Sequence, residues 1–348
     1  MTRHRVAVLG CGPRGDDHLH GFAAHPDRFE VVGLCDRDAD RIETLAAKYA
    51  IKATFTDAAE MFRAVEPEVF CFATMPDLRW PLIELALEHG VQAIAFEKPM
   101  ALTLKEARRI RDACIQAKVK AVVSHQQKYG AHYQAVKDIV DGGRIGDVHT
   151  IQATSQAWLM QLGTHMIDYA LWLNGRSLGE WVIGQVHGKG HLTDSHPSPD
   201  YACGRVAFAN GVCGVFEFGH LSPSFLPKDM FWVDDTLTAY GTHGYARVIV
   251  GGGWQAYTKD SNGTVLTGEG MFDPKEEQPI YMRDLADWLD GLIDTHPCDI
   301  EISYHGFELA MGLCWSALQQ RALRVPFDAL PEEPLFEQLA RELPETEF

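Results

Sequence analysis

The sequence has no excess of basic residues. It contains 31 Lys and Arg against 48 Asp and Glu, which gives a formal net charge of −17. Proteins that bind nucleic acid carry a basic face that neutralises phosphates, and an anionic membrane surface repels a strongly acidic protein. We therefore expect neither a nucleic acid nor a membrane among its partners.

Long apolar runs and paired cysteines are also missing. No stretch approaches the roughly 18–20 apolar residues that span a bilayer. Met1–Arg5 leads directly into the apolar run Val6–Leu9, which leaves no room for a signal peptide. The eight cysteines form no C-x-x-C pair, and Cys35 and Cys71 fall within predicted strands. This pattern indicates reduced thiols and a cytoplasmic protein.

A glycine-rich loop follows the first apolar run. Val6–Leu9 is typical of a buried strand, Gly10-Cys11-Gly12-Pro13-Arg14-Gly15 comes next, and Asp16–Ala24 favours a helix. In a G-x-G-x-x-G loop the first glycine makes the turn, the second admits a pyrophosphate and the third lets helix pack on strand. The phosphates then lie at the helix N-terminus. The alternative is an ordinary glycine turn.

Asp36 distinguishes these two interpretations. It ends the second apolar run, Val31–Cys35, about 20 residues past the glycines, where an acid binds the adenosine ribose hydroxyls. Its charge would repel a 2′-phosphate, which favours NAD. The neighbouring Arg37 could neutralise such a phosphate, so NADP stays open.

Strands and helices alternate through the first third of the chain. Helices are predicted at Arg41–Tyr49, Ala58–Ala64, Trp80–His89 and Thr103–Lys118, between strands at Ala53–Phe55, Val69–Ala73, Gln92–Phe96 and Ala121–Val123. This alternation is typical of a doubly wound parallel sheet. We assign residues 1–124 to a dinucleotide-binding α/β domain of the Rossmann type.

Strands dominate after Ser124. The predicted strands are Val148–Ala157, Trp181–Val186, Arg205–Ala209, Val212–Phe218, Thr236–Tyr240 and Ala246–Val250. A helix at Thr164–Leu173 interrupts them, two helices near Tyr281–Asp294 and Ile302–Leu323 follow, and the acidic, proline-rich end is expected to wrap the surface. We assign residues 125–348 to an α+β domain with a large, mostly antiparallel open sheet.

Several motifs together resemble one family, the Gfo/Idh/MocA oxidoreductases of the glucose-fructose oxidoreductase and inositol dehydrogenase types. Besides the glycine loop and Asp36, they are Glu97-Lys98-Pro99, Gly143-Arg144-Ile145-Gly146, Gly163-x-His165-x-x-Asp168 and Leu323-Arg324-Val325-Pro326. Family members often pair their open sheets between subunits. The resemblance therefore implies a homodimer or homotetramer.

The resemblance also assigns roles to residues. It implies that Lys98 points at the substrate hydroxyl beside the nicotinamide, that the Lys98–Pro99 bond is cis, that Glu97 helps to seat the nicotinamide ribose, and that His165 stands with the lysine. The residues assigned to the cofactor are Gly10, Gly12, Pro13, Arg14, Gly15, Asp36, Arg37, Thr74, Glu97 and Lys98.

The sequence departs from the family at three points. Gln161 occupies the place of an aspartate that many members carry four residues before the histidine, and an amide cannot ionise. Asp77–Trp80 stands where histidines are more common, and Lys128 replaces a usual arginine. We expect an unusual substrate specificity.

Lys98 and His165 are the predicted catalytic residues. A lysine acts as a general base only if its pKa falls from about 10.4 towards 7–8 through burial or positive charge. The alternative for Lys98 is a solvated lysine before a turn. His165 lies in the first turn of its helix, where the dipole disfavours imidazolium, unless it is a capping or core histidine.

The predicted substrate-binding residues are Gln161, Asp168, Gln126, Tyr129 and Trp158. Asp168 alternatively stabilises the start of its helix, and Trp158 is alternatively a core residue. The histidines at 187, 191 and 196 have no spacing typical of a metal site, so we predict a mobile loop and no metal.

These features predict an NAD(P)-dependent oxidoreductase that transfers hydride between the nicotinamide and a secondary hydroxyl of a sugar, a sugar derivative or a cyclic polyol. One alternative is an enzyme that holds NAD tightly and cleaves or epimerises glycosides through a transient ketone. A second alternative is a non-catalytic dinucleotide-binding regulator.

Overall fold

The computed structural model describes residues 3–345; Met1, Thr2 and residues 346–348, at the ends of the predicted domains, lie outside the described residues. The chain divides into two compact units. The first contains the segments up to Ala101, Glu106–Tyr129 and Asp273–Ser303, and the second contains Leu102–Lys105, Gly130–Phe272 and the segment from Tyr304 onward. The sequence predicted a single domain boundary after Ser124. In the structure the chain returns to the first unit at Asp273, so the division is more complex than that prediction.

The first unit is built on a six-stranded parallel sheet. Its strands are β1 (His4–Leu9), β2 (Phe29–Cys35), β3 (Thr54–Phe55), β4 (Val69–Phe72), β5 (Ala93–Phe96) and β6 (Lys120–Val123). Their order is β3-β2-β1-β4-β5-β6, as in dinucleotide-binding sheets. The order reverses between β1 and β4, and this reversal opens the crevice in which such folds bind ligands.

Five helices connect these strands: α1 (Pro13–Ala23), α2 (Ala39–Tyr49), α3 (Ala58–Val65), α4 (Arg79–Glu88) and α5 (Leu104–Ala117). Asp38 and Asp57 cap α2 and α3 by accepting backbone N–H groups of the first turn. Gly90, with φ +69°, follows α4 in the left-handed conformation that ends many helices.

The second unit is built on a nine-stranded sheet. Its first elements are α6 (Ala131–Asp141), β7 (Val148–Ser155), α7 (Thr164–Leu173), β8 (Gly179–His187), β9 (Tyr201–Phe208), β10 (Cys213–Gly219), β11 (Asp235–Gly241), β12 (Gly244–Ile249), β13 (Gly253–Tyr257) and β14 (Leu266–Gly268). Only the pairing of β7 with β10 is parallel. The prediction of a large, mostly antiparallel sheet is confirmed, although β13 and β14 were not predicted.

The end of the chain differs from the prediction. It contains α8 (Pro274–Leu289), α9 (Ile300–Gln319), β15 (Leu323–Arg324) and α10 (Leu335–Glu342). Both predicted helices begin earlier than expected, and β15 pairs with β8 at the sheet edge. The last residues, which were expected to wrap the surface, include α10, which buries Leu335, Phe336 and Leu339 on one face.

All eight cysteines are free thiols; six of them are buried, whereas Cys203 and Cys213 are half-buried. Across residues 3–345, none of the helices combines the length and the apolar character needed to traverse a bilayer.

Candidate active site

Packing explains two of the three glycines of the loop after β1. Gly10 has φ +96°, and a Cβ there would overlap the Ala73 carbonyl oxygen. A Cβ on Gly15 would overlap the carbonyl oxygen of Gly10, so the close contact between helix and strand requires glycine. Around Gly12 only the Arg41 side chain comes within 4 Å of a Cβ, at 3.9 Å. Gly12 therefore leaves the space that a pyrophosphate needs beside the N-terminus of α1.

Asp36 is joined to the glycine loop. Its carboxylate accepts hydrogen bonds from the backbone N–H of Cys11, at 2.6 Å, and of Asp38, at 3.0 Å. A carboxylate has about four acceptor sites, so it retains acceptor capacity for ribose hydroxyls. Arg37 is exposed, and Arg14 is exposed and pairs with Asp17. These residues fit a dinucleotide.

Glu97, Lys98 and Pro99 follow β5 at the carboxyl edge of the sheet, and the Lys98–Pro99 bond is cis, as the resemblance implies. The Glu97 carboxylate lies 3.0 Å from Nε2 of His18 on α1. The Nδ1 atom of His18 lies 2.7 Å from the side-chain amide of Gln278 on α8. Burial opposes charge on both partners. The hydrogen bond and charge of His18 nevertheless lower the pKa of Glu97 to about 2, and the Cys71 side chain, followed by Glu97, raises the pKa of His18 to about 10.

Lys98 is a lysine with a depressed pKa. Burial, followed by the charges of Arg14 and Arg79, lowers the pKa of Lys98 to about 8, against the opposing effect of Glu97. About a tenth of such an amine is neutral at pH 7, far more than for a solvated lysine, and this is the condition for a general base.

A turn of π-helix, Leu159–Gly163, leads into α7 in the second unit. The Trp158 carbonyl accepts the N–H groups of Gln161, Leu162 and Gly163 at 3.0–3.3 Å and so caps this turn. His165 and Asp168 are buried on α7, and Gln161 is half-buried. The Tyr169 hydroxyl lies 3.0 Å from Nδ1 of His165, one helical turn away. The i, i+4 spacing was the signal for this partner in the sequence.

Trp158 packs against a loop that the sequence suggested to be mobile. Its indole stacks on the His191 imidazole with 3.9 Å between ring centroids. Asp200 accepts from Nδ1 of His191 at 2.6 Å and from the backbone N–H groups of Gly190 and His191. The loop is therefore fixed at this point. In the described part of the chain, no group of three or more His, Cys, Asp or Glu side chains could hold a metal ion.

Gln126 and Tyr129 lie in a short 3₁₀ turn of the first unit, directly after β6. Gln126 accepts from the Ser124 hydroxyl at 2.9 Å, and the Tyr129 hydroxyl lies 3.4 Å from Nε2 of His296. Both side chains are buried and make contacts within their own unit. Their role in substrate binding stays a prediction.

Two family models match the chain. Residues 4–125 match the model described as "Oxidoreductase family, NAD-binding Rossmann fold", and residues 133–247 match the GFO/IDH/MocA C-terminal domain. The chain belongs to the Gfo/Idh/MocA oxidoreductase family. Its glycine loop and Asp36 thus belong to an NAD-binding Rossmann domain.

Among curated relatives, a D-apiose dehydrogenase of Paraburkholderia graminis is 33% identical over 192 residues, covering 50% of this chain and 51% of that protein. An inositol 2-dehydrogenase of Rhizobium meliloti is 29% identical over 152 residues, covering 44% and 45%. A D-glucoside 3-dehydrogenase of Escherichia coli is 24% identical over 190 residues, covering 49% and 54%. The chain thus matches about half the length of these relatives.

Solved structures of the family share the fold. An oxidoreductase from Agrobacterium radiobacter in complex with NAD+, L-tartaric acid and magnesium superposes with a TM-score of 0.78 at 18% identity, covering 93% of this chain and 98% of that one. A myo-inositol dehydrogenase candidate from Sinorhizobium meliloti gives 0.74 at 18% identity, covering 92% and 99%. At this identity the likeness shows the architecture alone.

Three residues that contact predicted site residues were not themselves predicted. They are His18 and Arg79 in the first unit and Tyr169 in the second, and each forms a hydrogen bond to a predicted residue or its backbone. Arg79 falls in the segment Asp77–Trp80 that departs from the family pattern. That departure was the available sequence signal, but it did not indicate a contact.

Proposed function

We propose that this chain is an NAD-dependent oxidoreductase that transfers hydride between the nicotinamide and a secondary hydroxyl of a sugar, a sugar derivative or a cyclic polyol. The names of the curated relatives, which are dehydrogenases of D-apiose, D-glucosides and inositol, support this substrate class. Their partial coverage leaves the individual substrate to experiment.

The observation that carries the proposal is the state of Lys98. The side chain lies just past β5, on the ligand-binding edge of a dinucleotide fold, and its pKa is lowered to about 8. A solvated lysine with only a structural role would keep a pKa near its ordinary value of about 10.4. A general base for an alcohol requires this property.

In the proposed reaction the neutral amine of Lys98 takes the proton of the substrate hydroxyl. A bound nicotinamide supplies the acceptor for the hydride. His165 assists the proton transfer, with its ring held by Tyr169, and the substrate contacts come from Gln161, Asp168, Gln126, Tyr129 and Trp158. In the reductive direction the protonated amine returns the proton.

Replacement of Lys98 tests this proposal. Lys98→Ala should bind NAD as the parent does but lose kcat/KM by about a thousandfold, within the range for removing a general base. Lys52→Ala, which removes an exposed lysine from the same unit, is the control. A panel of polyols and sugars, followed by nicotinamide absorbance, supplies the measurement.

Two outcomes would count against the proposal. Full activity of Lys98→Ala would reject the assignment of the base. Nicotinamide that survives dialysis, with no net reduction of added NAD but conversion of a glycoside, would favour the alternative of cleavage or epimerisation.

We also propose a cytoplasmic location, because all eight cysteines are free thiols. We further propose that the chain forms a homodimer or homotetramer through its nine-stranded sheet.

A further inference from the structure

Arg79 is a buried arginine that forms no salt bridge, although the charges of Glu97, Glu106 and Asp77 favour its charged form from a longer distance. It is the first residue of α4 and is 0% exposed. Within residues 3–345, no Asp or Glu oxygen lies within 4 Å of its guanidinium. Arginines are almost never fully buried unless paired, so this cation has another reason to be here.

The acceptors of Arg79 lie on two neighbouring loops. Nη1 donates to the Thr74 carbonyl at 2.9 Å, the Thr74 hydroxyl at 3.1 Å and the Met75 carbonyl at 3.2 Å, all after β4. Nη2 donates to the Lys98 carbonyl and Nε to the Pro99 carbonyl, each at 3.3 Å, after β5. A guanidinium presents five N–H donors in a rigid fork, which suits this task. It fastens the loop after β4 to the loop that carries Lys98.

Arg79 also keeps its positive charge at neutral pH. Burial lowers its pKa only to about 10, so it remains charged at neutral pH. Within the first unit, Glu97 stabilises the charged form of Lys98, whereas Arg14 and Arg79 destabilise it. The Arg14 side chain is 47% exposed and is therefore screened by solvent and salt, but Arg79 is shielded from both.

We propose that Arg79 is a positioning residue for Lys98: its guanidinium holds the loops after β4 and β5 together and favours the neutral form of the neighbouring amine. Its importance for catalysis rests on the proposed function. Its effects on the amine and on the loops do not.

The charge effect is tested by titrating Lys98 directly. The rate of Lys98 acetylation by acetic anhydride, followed by mass spectrometry against exposed Lys52, measures the neutral amine as a function of pH. We expect a midpoint near pH 8 in the parent. In Arg79→Gln it should rise by about 0.3 pH unit, a roughly twofold loss of neutral amine at pH 7, whereas Arg79→Lys should keep it. Arg109→Gln, which removes the exposed cation stacked on Trp80, should leave it unchanged.

The fastening effect is tested by NAD binding. Both Arg79→Lys and Arg79→Gln lose part of the five-bond fork, so each should weaken the Kd for NAD by about three- to tenfold in a titration of tryptophan fluorescence. Arg109→Gln should bind as the parent does.

Each outcome decides one part of the proposal. A parent-like midpoint in Arg79→Gln would overturn the charge effect, and so would an equal shift in Arg79→Lys. Parent-like NAD affinity in both variants would overturn the fastening. If Arg79→Gln does not fold, Arg79→His, uncharged above its ordinary pKa of about 6.5, takes its place. Acetylation and NAD binding need no substrate, so a failed search for an active polyol would leave both results standing.

Discussion

A histidine that moves protons needs its second ring nitrogen held in both protonation states. His165 meets this need through Tyr169, whose hydroxyl lies 3.0 Å from Nδ1 and whose ring is stacked on the imidazole. A hydroxyl can donate to the neutral ring or accept from the charged one. Gln161, at the place of the usual acid, cannot ionise. We therefore propose that Tyr169 performs part of the orienting task in this chain.

Tyr169→Phe removes this partner while keeping the aromatic volume. We expect kcat to fall by about tenfold or more, because a hydrogen bond to a group that becomes charged contributes about 1.5–3 kcal/mol. The affinity for NAD should not change. Steady-state kinetics on the substrate identified with the parent measures both quantities.

The matched control is Tyr133→Phe. Tyr133 packs edge-on against Tyr169 at 5.1 Å between ring centroids and is equally buried, so this variant also keeps the ring and removes only a hydroxyl. Equal losses in the two variants would mean that general packing, and not the bond to His165, sets the rate.

At the scale of elements, side-chain hydrogen bonds join α8 to α1 and α1 to the segment that carries Lys98. Gln278 on α8 meets His18 on α1, and His18 meets Glu97 just past β5. Because a half-turn of the Gln278 side chain exchanges its oxygen and nitrogen, it can serve either protonation state of His18. A helix distant in sequence thus helps to fix the residue before Lys98.

His18→Leu would leave Glu97 buried without its cation. Removing one partner of a buried pair costs about 3–5 kcal/mol, so we expect a loss of this order in urea unfolding. His20→Leu, on the same helix but bonded only to an exposed carbonyl, is the control and should lose much less.

The pH dependence of this loss follows from the two shifted pKa values. The lowered pKa of Glu97 stabilises the fold above the ordinary carboxyl pKa of about 4.3, and this contribution is lost as pH falls towards 2. The raised pKa of His18 stabilises it fully below about 6.5, and that contribution is lost as pH rises through 10. The difference in the free energy of unfolding between the parent and His18→Leu should therefore be larger at pH 5.5 than at pH 9.5. A difference that does not change with pH would contradict the pairing of His18 with Glu97.

Local patterns predicted most elements, and long-range packing accounts for those that were missed. The alternation of apolar strands with capped helices gave the first sheet, and α7 begins and ends at the predicted residues, Thr164 and Leu173. In contrast, the sequence did not predict β13 and β14. Each is held by hydrogen bonds to a neighbouring strand, and neither has a strong alternation of apolar residues. The boundaries of α8 were misjudged since Pro279, inside the helix, reads as a break in the sequence.

The residues discussed for the candidate site likewise fall into two groups: those in local motifs, which were predicted, and those joined by long-range contacts, which were not. Gly10, Gly15, Asp36 and Lys98 lie in short local motifs, so the motifs and the family resemblance were sufficient to predict them. His18 meets Glu97 across 79 positions and Gln278 across 260, and no local pattern indicates which side chains meet at such a separation. Arg79 reaches over the shorter span from α4 to the loop after β5, but its contacts are to backbone carbonyls, which any sequence supplies.

At the scale of the whole molecule, the nine-stranded sheet has one face that its own unit covers with helices. Gly184 and Gly204 lie directly against Leu313 of α9 on that face. On the opposite face of β8, Trp181 and Ile183 are 39% and 43% exposed, although they sit at alternate positions of a strand and so point the same way. A second copy of the chain packed on this face would bury them, which is why we propose a homo-oligomer formed through the sheet.

Ile183→Asp tests this assembly. A carboxylate on the exposed face of β8 would be buried against apolar surface of the partner, so we expect the mass in light scattering to fall to that of one chain, 38.8 kDa. Leu292→Asp makes the same kind of change at an exposed leucine of the first unit and should leave the mass of the assembly unchanged. A parent that is already monomeric at micromolar concentration, or an Ile183→Asp variant with the parent's mass, would show that the exposed face of β8 is not the interface. Because the residues proposed for catalysis lie on other elements, the monomeric variant should still bind NAD.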